Sequence, residues 1–137
     1  MVSAKQLFSC HWFELKVAKA LSQWEYAKQI WLNVEFPYRN NNPKNEIDIV
    51  VNTGKRLLFV ECKTQIKDKT NIDKFSKAVK NYSGMASKAL FVSYAPLEEI
   101  TKEKCEQNDV MCFDLSSKNK SELFKMLNQS LNELNKK

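Results

Sequence analysis

Apolar residues recur at helical spacing near the amino terminus and at strand spacing through the middle of the chain. Between residues 4 and 24, Leu7, Phe8, Trp12, Leu15, Ala18 and Leu21 fall on one helical face. Ser3 is placed to cap this helix, and Lys16, Lys19 and Gln23 belong to its polar side. Residues 28–36 (KQIWLNVEF) read as a strand stopped by Pro37, followed by the turn-rich PYRNNNPKN. Residues 46–52 (EIDIVVN) alternate, which predicts Ile47, Ile49 and Val51 on one side and Glu46, Asp48 and Val50 on the other. Residues 56–64 (RLLFVECKT) form a second strong strand, joined to the previous one by the hairpin signal Asn52-Thr53-Gly54-Lys55.

Downstream, Ile72, Phe75, Val79 and Tyr82 mark a helix over about 71–82, ended by Gly84. ALFVSY (89–94) has the continuous apolar character of a buried strand. Residues 96–107 open on Pro96 and continue as a helix, and VMCFD (110–114) is a short strand. The last helix, 121–135, carries Leu123, Phe124, Leu127, Leu131 and Leu134 on one face. The order helix, three strands by hairpin, helix, strand, helix, strand, helix predicts an α/β fold. Its mixed sheet has an antiparallel three-stranded meander plus further strands, flanked by helices, and residues 1–137 form one domain.

Composition narrows the picture. At 137 residues and 43% apolar, the chain has material for one hydrophobic core, and two glycines and three prolines exclude collagen-like and low-complexity readings. No apolar run approaches the roughly 18 residues that span a bilayer, and MVSAKQLFSCHW lacks a secretory pattern. The expectation is a cytoplasmic protein with no membrane partner. Cys10, Cys62, Cys105 and Cys112 form no CxxC pair and His11 is the only histidine, so a structural zinc site is not expected and the thiols read as buried or idle. Trp12, Phe13, Trp24, Trp31 and Phe59 read mostly as core, and Tyr38 and Tyr82 flank loops.

Charge points to a polyanion. The net charge is +6, and residues 63–80 hold six lysines against Asp68 and Asp73, which fits either a phosphate-facing patch or a solvated helix face.

Candidate chemistry sits on the hairpin. Glu61 and Lys63 point to one side of their strand, because the side-chain period is two. If Gly54-Lys55 are the central turn residues, Asp48 lies directly opposite Glu61 and Glu46 opposite Lys63. If Thr53-Gly54 are central, Asp48 is only diagonal to Glu61; a glycine at the first central position favours the former. Directly opposed residues have Cβ atoms about 4.5–5.5 Å apart. Two carboxylates so close repel unless a cation joins them, and one or two carboxylates with water and phosphate suffice for Mg²⁺. The Cys62 carbonyl is a further oxygen ligand, and Lys63 is placed to orient or deprotonate a water and to stabilise charge on a phosphate. The plainer account is a charged, solvent-facing hairpin with Lys63 paired to Glu46; the apolar runs LLFV and IDIVV argue against it. Glu14 interrupts the apolar stripe of the first helix, a costly place for a carboxylate unless something uses it.

Glu14, Asp48 and Glu61-x-Lys63, in this order on helix, strand and strand, resemble the PD-(D/E)XK nuclease superfamily; Ile47 stands where the motif has proline. The resemblance implies a restriction-endonuclease-like core over residues 4–94. It also implies metal binding by Asp48 and Glu61, assistance to water by Lys63, and completion of the metal shell by Glu14. HWFELKVAKAL, NEIDIVVNTGKRLLFVECKT and YSGMASKALFVSY are similar to the nuclease domain of CRISPR-associated nucleases activated by cyclic oligonucleotides. That likeness implies single-strand cleavage with a divalent ion, Mg²⁺ or Mn²⁺, and a role in antiviral defence. The sensor domain of such proteins is not among these residues, which implies an isolated domain or control by something else.

The resulting expectation is a metal-dependent endonuclease acting on DNA and/or RNA, with Lys67, Lys69, Lys74 and Arg56 holding the backbone. The alternatives are an inactive nucleic-acid-binding module and a resolvase- or restriction-like subunit of a larger assembly. A homodimer or a separate regulatory subunit is left open.

Overall fold

A computed structural model of the chain describes residues 12–36, 45–64, 70–83, 87–116 and 118–135. The elements are α1 (Trp12–Ser22), β1 (Gln29–Phe36), β2 (Asn45–Asn52), β3 (Leu57–Lys63), α2 (Thr70–Ser83), β4 (Ser87–Ser93), α3 (Glu99–Gln107), β5 (Val110–Asp114) and α4 (Lys120–Asn135). The strands make one five-stranded sheet in the order β1-β2-β3-β4-β5. β1, β2 and β3 pair antiparallel, whereas β4 and β5 continue in parallel after the helical crossovers α2 and α3. The mixed α/β architecture expected from the sequence is therefore the observed one. Ser3, Gly84, Tyr38, and residues 4–11 of the expected amino-terminal helix, Cys10 among them, lie outside the described residues.

The sheet is buried on both faces, which explains the continuous apolar runs of β3 and β4. On one face Phe13, Val17 and Leu21 of α1, Trp24, and Leu123 and Leu127 of α4 pack on Ile49, Val51, Leu58, Val60, Leu90, Val92 and Phe113. Trp24 Nε1 donates to Asn128 Oδ1 at 2.9 Å, tying the end of α1 to α4. On the other face Ile72, Phe75, Ala78 and Val79 of α2 and Cys105 of α3 cover Ile47, Val50, Phe59, Ala89, Phe91 and Val110.

The clean alternation expected for β2 does not hold. Ile49 and Val51 enter the first core, but Ile47 joins Val50 in the second. β1 changes faces at the same level, since Ile30 packs on the first core and Val34 on the second. Between them lies Asn33, whose φ of 51° is left-handed and reverses the pleat. Two further expectations change. The buried line of α1 is Phe13, Val17 and Leu21, while Leu15 and Trp12 are exposed. Trp31 is exposed too, at 44%, because β1 is an edge strand. Cys62 and Cys105 are buried and free; Cys112 is half-buried, and a hydrogen bond from Cys105 lowers its thiol to about 7.

The hairpin turn decides the register. Thr53 N–H donates to the Arg56 carbonyl at 3.0 Å, Gly54 N–H donates to Asn52 Oδ1 at 2.8 Å, and Gly54 has φ +94°. The central pair is thus Gly54-Lys55, and the ladder runs Asn52↔Leu57, Val51↔Leu58, Val50↔Phe59, Ile49↔Val60. An added Cβ on Gly54 meets nothing nearer than Lys28 Cγ at 4.0 Å, so the obstacle to a side chain is backbone conformation, not space. Gly54→Ala is expected to cost about 1 kcal/mol, read as a lower midpoint of urea unfolding with an unchanged slope.

Candidate active site

Carried one pair beyond Ile49↔Val60, the register sets Asp48 opposite Glu61. The regular ladder gives out there. The Cys62 N–H instead donates to Asp48 Oδ2 at 2.9 Å, a charge-assisted bond that fixes the aspartate across the gap between β2 and β3. On its other edge β3 stays paired to β4 through Lys63↔Ser93, and Tyr94 N–H donates to the Lys63 carbonyl at 2.9 Å. The backbone carrying Glu61 and Lys63 is therefore held from one side while it is open on the other.

Burial and neighbouring charge shape the Glu61 carboxyl. Its side chain is 16% exposed, and Lys63 Nζ lies 3.7 Å from Oε1. Desolvation by burial, followed by the charge and a hydrogen bond of Asp48, raises it from the ordinary 4.5 to about 8; Lys63 opposes the rise and Glu14 adds to it. Burial, then Asp48, Glu14 and Glu61, likewise push the Cys62 thiol up, so it carries no nucleophilic thiolate. Asp48, Glu61 and Lys63 are thus brought together, and Glu14 of α1 reaches them electrostatically. Glu14 is half-buried beside the buried line of its helix.

An open cleft of about 230 Å³ lies on this site. Its lining includes Glu46, Glu61 and Lys63 from the sheet and Asn71, Lys74 and Phe75 from α2. Lys74 stands at the cleft. Arg56 does not: it is at the hairpin end of β3, roughly 20 Å along the strand from Lys63, where it lines a small apolar pocket with Trp24 and Leu127. Lys67 and Lys69 lie outside the described residues. Sequence reasoning missed Asn33. With its amide nitrogen turned toward the acids it donates to Glu14 Oε2 at 3.2 Å and to Glu46 Oε1 at 3.1 Å.

The donor set suits a hard divalent ion in part. Asp48 and Glu61 supply neighbouring carboxyl oxygens that share a proton when no cation joins them, and the Cys62 carbonyl follows Glu61 directly in the chain. Among the described residues no group of three or more His, Cys, Asp or Glu side chains is gathered tightly enough to hold a metal ion, so Glu14, Asp48 and Glu61 do not form such a group. Also among the described residues, no helix is long and apolar enough to cross a membrane.

Helix, antiparallel meander and parallel crossover, with two acids and a lysine where the meander opens, define a nuclease of the PD-(D/E)XK type. Residues 2–129 match the family model described as "Card1-like, endonuclease domain", and the chain belongs to that family. Among solved structures it is similar to Can2 from Sulfobacillus thermosulfidooxidans, determined in complex with cyclic tetra-adenylate. Identity is 28% and the TM-score 0.73, over 91% of this chain and 36% of that one. Protein VC1899 from Vibrio cholerae shares 20% identity over 85% of this chain and 31% of its own, with a TM-score of 0.65. Protein AF1548, of unknown function, shares 15% over 78% of this chain and 59% of its own, with a TM-score of 0.59; these last two likenesses show the fold alone. The chain spans about a third of the length of Can2 and of VC1899. No curated protein matches the sequence.

The Glu61 shift fixes the sign of a pH effect. Its proton is held more tightly in the folded chain than in the unfolded one, where the carboxyl returns to 4.5. Between pH 4.5 and about 8 unfolding releases that proton, and stability falls as pH rises. In EDTA, urea unfolding is expected to show this decline, with a ceiling of about 1.4 kcal/mol per pH unit. Glu61→Gln is expected to flatten it; an equally steep decline in that variant would assign the proton to another group.

Proposed function

We propose that this nuclease is a divalent-metal-dependent endonuclease that hydrolyses phosphodiester bonds of DNA and/or RNA. The observation that carries the reading is the Asp48–Glu61 pair, joined across the opened ladder, with Glu61 and its neighbour Lys63 lining a cleft whose wall also bears Lys74.

Asp48, Glu61 and the Cys62 carbonyl would hold Mg²⁺ or Mn²⁺, with Glu14 contributing from α1. When bound, such an ion neutralises phosphate charge and makes a coordinated water more acidic. The chain's own groups then have separate tasks. The Cys62 N–H keeps Asp48 aimed across the gap. The Lys63 ammonium, less than 4 Å from Glu61, orients the attacking water and donates to the phosphate oxygens as charge builds on them. Water attacks phosphorus, the bond from phosphorus to the leaving sugar oxygen breaks, and that oxygen takes up a proton. Lys74 and the neighbouring lysines of α2 hold the flanking backbone. The likeness to Can2, solved with cyclic tetra-adenylate, supports a defence role in which cleavage is controlled from outside this domain, by a separate subunit or a longer assembly.

Purified protein is expected to cut single- or double-stranded DNA or RNA in Mg²⁺ or Mn²⁺ and to stop in EDTA. Asp48→Asn and Glu61→Gln should abolish cleavage, and Lys63→Ala should lower kcat by about 10²–10³ with little change in KM. Cleavage that survives Glu61→Gln would place the chemistry elsewhere, and binding without cleavage in either metal would favour the inactive binding module. Lys74→Ala should instead raise KM and reduce by about one the slope of log affinity against log salt, measured with the inactive Glu61→Gln protein.

A further inference from the structure

We infer that Asn33 is the positioning residue of the acid site, holding Glu14 of α1 to the sheet at the level of Asp48; the inference rests on the nuclease reading. Three observations meet at this residue. The β1–β2 register, continuous through Leu32↔Ile49 and Val34↔Ile47, sets Asn33 opposite Asp48, yet the two are not joined in the ladder. Asn33 has φ 51°, and on either side of it both strands exchange the cores they pack into. Its amide nitrogen, in the orientation that faces the acids, lies 3.2 Å from Glu14 Oε2 and 3.1 Å from Glu46 Oε1.

Asparagine suits both demands. It tolerates the left-handed region better than other residues that carry a side chain, apart from aspartate. Unlike aspartate, it offers two N–H donors, one for each carboxylate. Glu14 sits on a helix and Asp48 on a strand; packing of Phe13, Val17 and Leu21 on the sheet places the helix but does not aim the Glu14 carboxylate at the strand. The amide bridge supplies that link, and it lowers the repulsion between two acids that approach the same place. Asn33 would act through Glu14 and would not touch the substrate.

Asn33→Gly separates the two properties, because glycine keeps the left-handed backbone and loses only the amide. Asn33→Asp keeps the shape and replaces the donor by a third negative charge. A double-mutant cycle of Asn33→Gly with Glu14→Ala, which removes the accepting oxygen, read as unfolding equilibrium constants in EDTA, is expected to show a coupling of about fivefold. In Mn²⁺, Asn33→Gly is expected to lower kcat about tenfold at unchanged KM, and to weaken Mn²⁺ binding by titration calorimetry several-fold. Asn33→Asp should do worse on kcat while melting within a few degrees of wild type.

Strictly additive effects in the cycle would overturn the bridge. Coupling with wild-type kcat and wild-type Mn²⁺ affinity in Asn33→Gly would overturn the positioning role. A wild-type chain that neither binds Mn²⁺ nor cleaves, with coupling intact, would sink the nuclease reading and uphold the tie between Asn33 and Glu14.

Discussion

Two carboxylates on neighbouring strands face each other where the ladder between those strands stops, and the rest of the molecule is organised around that arrangement. Like charges opposed across a sheet are destabilising, and burial makes them more so. The chain offsets the cost locally. Asp48 receives the Cys62 N–H, Glu61 has Lys63 beside it, and in the absence of a cation Glu61 keeps its proton well above the ordinary carboxylate range. An ordinary surface hairpin would leave such groups in water, where none of these devices is needed.

The architecture explains why the acids cannot escape to solvent. Helices cover both faces of the sheet, α1 and α4 on one and α2 and α3 on the other, and the strands between them are apolar nearly throughout. At one end, past Ile49↔Val60, the sheet opens into a cleft, and α2 brings Asn71 and Lys74 to its wall. The hairpin fixes which residues arrive at that end. Gly54 in a left-handed conformation selects the register, and a register one residue different would send Glu61 and Lys63 to a different partner. A turn at one end of the ribbon thus governs which side chains meet at the other.

The same geometry separates the positive charges by place. Lys63 sits within the site and Lys74 on the cleft wall, whereas Arg56, on the same ribbon, is carried to the far end and serves the packing of α4 and the hairpin. A net positive charge is therefore a poor guide to which cations border the cleft. Placement along the strand decides it. The fold shared with Can2 and with two proteins of lower identity shows that this framework persists with few residues in common. That is the expected behaviour of a two-layered helical cover on one sheet, where volume and pattern matter more than identity.

Much of this was readable from residue order. Alternation through Ile49, Val50 and Val51, the apolar run LLFVECK and the turn residue Gly54 specify the ribbon and its register, because strand pairing is a local matter of two adjacent segments and one turn. Helical spacing likewise located α2, α3 and α4. Other features depend on elements distant in sequence. Only the packed structure decided that Ile47 turns away from Ile49, that Phe13, Val17 and Leu21, not Leu15, line the buried face of α1, and that Asn33 reaches both Glu14 and Glu46. A left-handed residue in mid-strand leaves no trace in hydrophobic periodicity, and the contact between a helix and a strand it does not adjoin has no spacing rule. Local repeats record how a segment pairs with its neighbour; where two separated segments meet is set by the shape of the whole core.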